Sequence, residues 1–157
     1  GYDATTERGE DWGPYTDTSI LSRMLGKLSF DGDIASWSRE FAEQAASLVT
    51  EFKATRHLMV QDFYQLLPMP KTADDWDAVQ FVSYDGDDAA LFVFAGHGGG
   101  RETVRLLGLQ PDADYSVGRR PQGRPHRTRG SELMAEGLSV DLSPNEGCMW
   151  RITAQMA

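Results

Sequence analysis

The chain has 157 residues, 40% of them hydrophobic and 25% charged, and a formal net charge of −9. This is enough chain for one packed core with an appendage, and the composition is that of an ordinary globular domain. No apolar run reaches the roughly 18 residues needed to span a bilayer, and the acidic surplus argues against nucleic acid, whose binding depends on cations set against phosphates.

The opening residues, Gly1 to Asp11, are polar and acidic and lack the charged-then-apolar order of a secretory leader. A start on Gly1 instead of Met reads as a piece cut from a longer protein. One cysteine, Cys148, leaves neither an internal disulfide nor a thiolate metal cage and predicts a reducing, cytoplasmic setting.

Ile20, Leu21, Met24, Leu25 and Leu28 predict a first helix opening near Asp17 or Thr18 and closing at Gly26. Leu28-Ser29-Phe30 then runs into the polar turn Asp31-Gly32-Asp33. Phe41, Ala45, Leu48, Val49 and Phe52 recur at the spacing of one helical face, with Arg39, Glu40, Glu43, Glu51 and Lys53 elsewhere. That pattern predicts an amphipathic helix of about five turns. Ser38 is placed to cap it, and Glu40 suits the positive end of its dipole.

Past Leu58 the texture becomes period-two. Val79 to Tyr84 and Ala90 to Phe94 flank Asp85-Gly86-Asp87-Asp88, the signature of a hairpin whose turn needs positive φ. Further strands are predicted at Val104 to Leu107, Tyr115 to Gly118, Leu138 to Leu142 and Met149 to Thr153. Short strands with turns between them and no long helix among them predict an antiparallel sandwich or barrel beginning near residue 60.

The candidate chemistry is sparse. Gly96-His97-Gly98-Gly99-Gly100 has the look of an esterase oxyanion loop, but the chain carries no G-x-S-x-G nucleophile elbow, so the run reads as a loop. His57, His97 and His126 match no ligand spacing. Asp85, Asp87 and Asp88 are too compressed for a calcium loop and read as turn residues. The arginines from Arg101 to Arg129 are interleaved with Pro121, Gly123 and Pro125 and not with stacking aromatics, as in a solvated loop. Asp31 and Asp33, following a short apolar run, are the acidic residues best placed for ligand contact; the competing role is turn and helix entry.

Three stretches together resemble the C-terminal region of family 36 glycoside hydrolases, the microbial α-galactosidases. Gly26-Lys27-Leu28-Ser29-Phe30-Asp31-Gly32-Asp33-Ile34-Ala35-Ser36-Trp37-Ser38 is similar to the segment that closes their barrel. Lys53 to Leu58, continuing through Asp62 to Pro68, resembles the exit from the last helix into the first sandwich strand. Leu106-Leu107-Gly108-Leu109-Gln110-Pro111-Asp112-Ala113-Asp114-Tyr115-Ser116-Val117, then Gly130-Ser131-Glu132-Leu133-Met134-Ala135-Glu136-Gly137-Leu138, is similar to their terminal domain in order and spacing.

The resemblance implies a mainly β chain: a C-terminal antiparallel β-sandwich, residues 60–157, preceded over residues 1–59 by the helical end of a (β/α)8 barrel, with Leu28-Ser29-Phe30 as its eighth strand. The implied parent is a retaining enzyme that removes terminal α-linked galactose with an aspartate nucleophile and an aspartate acid/base, both upstream of this chain. The chain itself would then be inactive, with no catalytic residue, no metal and no cofactor. Its partner would be the rest of the barrel, it would meet an α-galactoside only through the parent, and it would bind neither nucleic acid nor membrane. Asp33 first, then Asp31 and Trp37, would shape the sugar site without doing the chemistry. The apolar face of the long helix should be covered by the sandwich or by a second copy in a homo-oligomer. The alternative is a free-standing β-sandwich that binds carbohydrate or protein through aromatics on one exposed face. Trp76, Tyr84 and Trp150 are the available set, and they alternate with apolar neighbours as core side chains do.

Overall fold

The structure, a computed structural model, describes residues 17–29, 34–120 and 123–155. Helix α1 (Asp17–Met24) buries Ile20, Leu21 and Met24 and stops where the Gly26 amide turns back to the Arg23 carbonyl at 3.3 Å. Helix α2 (Arg39–Thr55) opens on Ser38, whose hydroxyl accepts from the Phe41 amide at 3.2 Å. Its buried stripe is Phe41, Ala45, Leu48 and Thr55, the threonine hydroxyl donating back to the Glu51 carbonyl at 2.8 Å. A 3-10 turn over Arg56–Val60 then buries Leu58.

Eight strands follow: β1 (Asp62–Gln65), β2 (Asp77–Val82), β3 (Asp88–Phe94), β4 (Gly100–Val104), β5 (Asp114–Arg120), β6 (His126–Arg129), β7 (Leu138–Leu142) and β8 (Gly147–Ala154). Six form one sheet in the order β1-β2-β3-β8-β5-β6, and β4 and β7 pair separately. Every ladder among the described residues is antiparallel.

The large sheet is covered on both sides. Along β3, Ala89, Leu91 and Val93 join a cluster with Val104, Val140 and Leu142 of the small sheet. Ala90 and Phe92 point the other way, into a cluster with Ile20, Leu21, Met24, Phe41, Ala45, Leu48 and Leu58. A strand buried on both faces reads as a continuous apolar run, which is why residues 89–94 show no alternation. The turn between β2 and β3 has Gly86 at φ +78°, and its carbonyl accepts from the Tyr115 hydroxyl at 2.7 Å. That buried hydroxyl also accepts from the Gln110 amide at 2.8 Å, and burial pushes its pKa up.

Three expectations change. The strand expected at Val104 to Leu107 lies earlier, ending at Val104, because the Leu107 backbone is paired with a side chain instead of a ladder. Gln80, fully buried, donates to the Leu107 carbonyl and accepts from the Leu107 amide, both at 2.9 Å. Helix α3 (Gly130–Ala135), which was not foreseen, is opened by Glu132, whose carboxylate accepts from the Thr128 hydroxyl and the Arg129 amide. The described residues also show no strand before β1. Leu28 and Ser29 lie in no strand, Phe30 falls outside the described residues, and α1 and α2 sit on the antiparallel sheet as its second covering layer.

Candidate functional site

Of the three residues expected to shape a sugar site, Asp31 and Asp33 lie outside the described residues. Trp37 is half-buried, with its ring edge-on to Phe41 at 4.8 Å, and it packs against the cluster under the helices. The aromatic set of the alternative reading is dispersed. Trp150 is 7% exposed in the core, Trp76 is half-buried at its margin, and Tyr84 is 73% exposed. Tyr84 leaves the core because β2 ends at Val82; in the turn its hydroxyl donates to the Val60 carbonyl at 3.1 Å.

Among the described residues a concavity lies between the β1–β2 connection and β4. It is an open cleft of about 420 Å³ lined by Leu67, Pro68, Met69, Lys71, Asp74, Asp75, Trp76 and Glu102. Its wall is fixed by backbone contacts. The Asp75 carboxylate, through Oδ2, accepts from the amides of Lys71 at 2.9 Å and Thr72 at 2.8 Å, which holds its pKa below the usual carboxylate range. The His97 amide donates to the Ala73 carbonyl at 2.9 Å, and a Cβ on Gly96 would stand 2.2 Å from the Asp74 carbonyl oxygen. Gly96, at the head of the glycine run, is therefore packed against this loop. Sequence reasoning missed the cleft, although Asp74-Asp75-Trp76 just ahead of a strand was a visible signal.

Elsewhere the charged side chains link layers. Arg151 on β8 donates to Asp88 through Nε at 2.9 Å and Nη2 at 2.5 Å, and through Nη1 to the Ala54 carbonyl at the end of α2 at 2.6 Å. His57 stands 3.1 Å from the same aspartate. Thr18 receives the Gly147 amide at 2.6 Å and donates to the Asn145 carbonyl at 3.2 Å, joining α1 to the β7–β8 turn. Glu146 of that turn pairs with Arg119, whose guanidinium lies 6.0 Å from the Trp150 ring centre. Burial pushes the Cys148 thiol up to about 11, so it is no nucleophile. Among the described residues, the carboxyl groups with a shifted pKa, Asp75, Asp85, Glu132 and Glu146, all shift down. A glycosidase general acid needs the opposite. Among the described residues no cluster of His, Cys, Asp and Glu could hold a metal, and no helix is long and apolar enough to cross a membrane.

Comparison with known proteins agrees with this arrangement. A search of curated proteins gives no match. Among solved structures, the α-galactosidase from Lactobacillus brevis superposes with a TM-score of 0.81 at 20% identity, over 100% of this chain and 22% of that one. The family 36 α-galactosidase AgaA from Geobacillus stearothermophilus gives 0.80 at 24% identity, over 99% of this chain and 22% of that one. The galactosidase domain of the α-galactosidase–sucrose kinase AgaSK gives 0.78 at 23% identity, with the same coverage. The chain thus spans about a fifth of the length of the structures it matches. The family model for the glycosyl hydrolase family 36 C-terminal domain matches residues 76–151, from the edge of β2 into β8. Residues 76–151, most of the β-sandwich of this chain, match the C-terminal domain of glycosyl hydrolase family 36.

Proposed function

We propose that this chain is the non-catalytic C-terminal portion of an α-galactosidase-like enzyme and supports its catalytic domain. The observation that carries the reading is the family match over residues 76–151 on a sandwich whose second face is sealed by α1 and α2. Residues before about 60 form the joint to the upstream catalytic domain, and the α-galactoside is met only in the intact enzyme. In that enzyme Asp33, and after it Asp31 and Trp37, contact the sugar. A single buried thiol and no disulfide suit a cytoplasmic enzyme.

Retaining glycosidases need two carboxyl groups about 5 Å apart across one cleft. The shifted carboxyls here serve as fixed acceptors instead. The test is an assay of the pure 157-residue chain on an aryl α-galactoside beside a longer enzyme that includes the catalytic domain. Turnover is expected only in the longer protein. Hydrolysis by the chain alone, abolished by one Asp→Asn change within it, would overturn the reading.

A further inference from the structure

We propose that the cleft beside Trp76 is an accessory binding site for a pyranose unit of an oligosaccharide, contained wholly in this chain. The inference rests on the glycoside hydrolase reading for the class of ligand alone; the site itself rests on four features of the cleft.

Its size comes first: about 420 Å³ falls within the roughly 300–1,000 Å³ of small-ligand pockets. Next is the wall, where Trp76 is half-buried against the sandwich core and Leu67, Pro68 and Met69 continue the apolar lining. A sugar ring presents an apolar C–H face that packs on such an aromatic surface. Third is the unspent hydrogen-bonding capacity. Asp75 commits Oδ2 to two backbone amides and its carboxylate also takes a hydrogen bond from the Thr72 side chain, yet it stays exposed, and with about four acceptor sites on its two oxygens it has room for a further donor. Neither Lys71, Asp74, Asp75 nor Glu102 forms an ion pair among the described residues, although all four line the same cleft. Carboxylate acceptors and one ammonium donor around an aromatic wall suit a neutral ligand rimmed with hydroxyls, which can donate to the former and accept from the latter. Fourth is rigidity. The capped turn at residues 71–75 and the close approach of Gly96 to Asp74 hold the wall in place before any ligand arrives, which lowers the ordering cost of binding.

The experiment follows the indole Nε1–H resonance of Trp76 in the intact 157-residue chain by two-dimensional NMR as raffinose, and separately galactose, is titrated in. A saturable shift is expected with raffinose, at a weak affinity typical of an open site. Glu102→Gln should weaken it several-fold and Trp76→Ala should abolish the associated changes in neighbouring amides. Glu102 is half-buried on a strand of the small sheet, so its isosteric change keeps the test valid even if Trp76→Ala fails to fold. Absence of a saturable shift with either sugar, or a shift of the same midpoint in Glu102→Gln, would overturn the proposal. Binding is read here without turnover, so this outcome is distinct from that of the hydrolysis assay.

Discussion

The two faces of the six-stranded sheet are sealed from different parts of the chain. The side under β4 and β7 draws its cover from within residues 100–142, and its polar groups are satisfied at fixed points, Gln80 against Leu107 and Tyr115 against Gly86 and Gln110. The other side presents Val79, Phe81, Ala90, Phe92 and Met149 to helices that precede the first strand, held by Thr18 at one end and Arg151 at the other. The sandwich core and its cover lie mostly within the segment that matches the family model, residues 76–151, whereas the helical cover lies before it. The matched segment is therefore not a self-sufficient folding unit: one of its two faces is finished by residues outside it.

The strongest way to break this comparison is to remove residues 1–58. Val79, Phe81, Phe92 and Met149 would then face water, and each large apolar side chain is worth roughly 1.5–3 kcal/mol when buried. The sum is comparable with the whole stability of a domain, about 5–15 kcal/mol. The truncated chain should aggregate or bind a hydrophobic dye strongly. A soluble monomer with the near-ultraviolet spectrum of the parent chain would show that the helices are an ornament.

A finer comparison uses neighbours on one strand. Leu91 and Phe92 are both fully buried but point to opposite faces. Leu91→Ala should cost about 2–5 kcal/mol and Phe92→Ala about 3–5 kcal/mol, read as a fall in the urea midpoint at unchanged slope. A large loss at Leu91 with almost none at Phe92 would mean that the helical layer rides loosely on the sheet.

These contrasts also mark what the sequence can reveal. The stripe of α2 and the strands β2, β3, β5, β7 and β8 are legible because apolar spacing reports burial directly. The stretch at Gly100–Val104 is poorly legible: its strand is polar and half exposed, and of the apolar residues that follow, Leu106 is buried with its amide on the Leu133 carbonyl while the backbone of the exposed Leu107 pairs with the Gln80 side chain and not with a ladder. The same spacing could not say what covers the α2 face. A barrel and an antiparallel sheet place the same demand on that stripe, so the expectation of a barrel end and the observed cover on the sandwich share one pattern. The cleft was only partly legible, because Asp74-Asp75-Trp76 marks one wall in the sequence but nothing marks the other. It brings residues 67–76 beside Glu102, and its key acceptor is made by a turn whose amides converge on Asp75, a relation that no linear spacing expresses. The substrate contacts expected at Asp31 and Asp33 lie outside the described residues.

The smallest effect concerns acid, and it tests the seam where the two faces meet at the β7–β8 turn. Burial alone would raise the Glu146 pKa, but the Ser143 amide at 2.8 Å and the Arg119 guanidinium outweigh it, and the net shift is downward. A carboxyl whose folded pKa lies below its unfolded value contributes its full stability above the unfolded value. It loses that contribution as pH falls through the folded one. Stability from Glu146 should therefore be complete at neutral pH and fade below the ordinary carboxylate range. Arg119 is 41% exposed, so solvent screening limits the pair to about 1 kcal/mol or less. Glu146→Gln keeps the size and one acceptor for the Ser143 amide while removing the charge. The variant should melt a few degrees below the parent chain at neutral pH, and the gap should close as the solution is acidified. Asp85 in the β2–β3 turn shifts down as well, through the Ser83 hydroxyl first and the Asp87 amide second, but it is present in both proteins and cancels from the difference. A gap that stays constant with pH would assign the loss to packing at Glu146 and remove its charge from the account of how the turn holds β5 and α1 together.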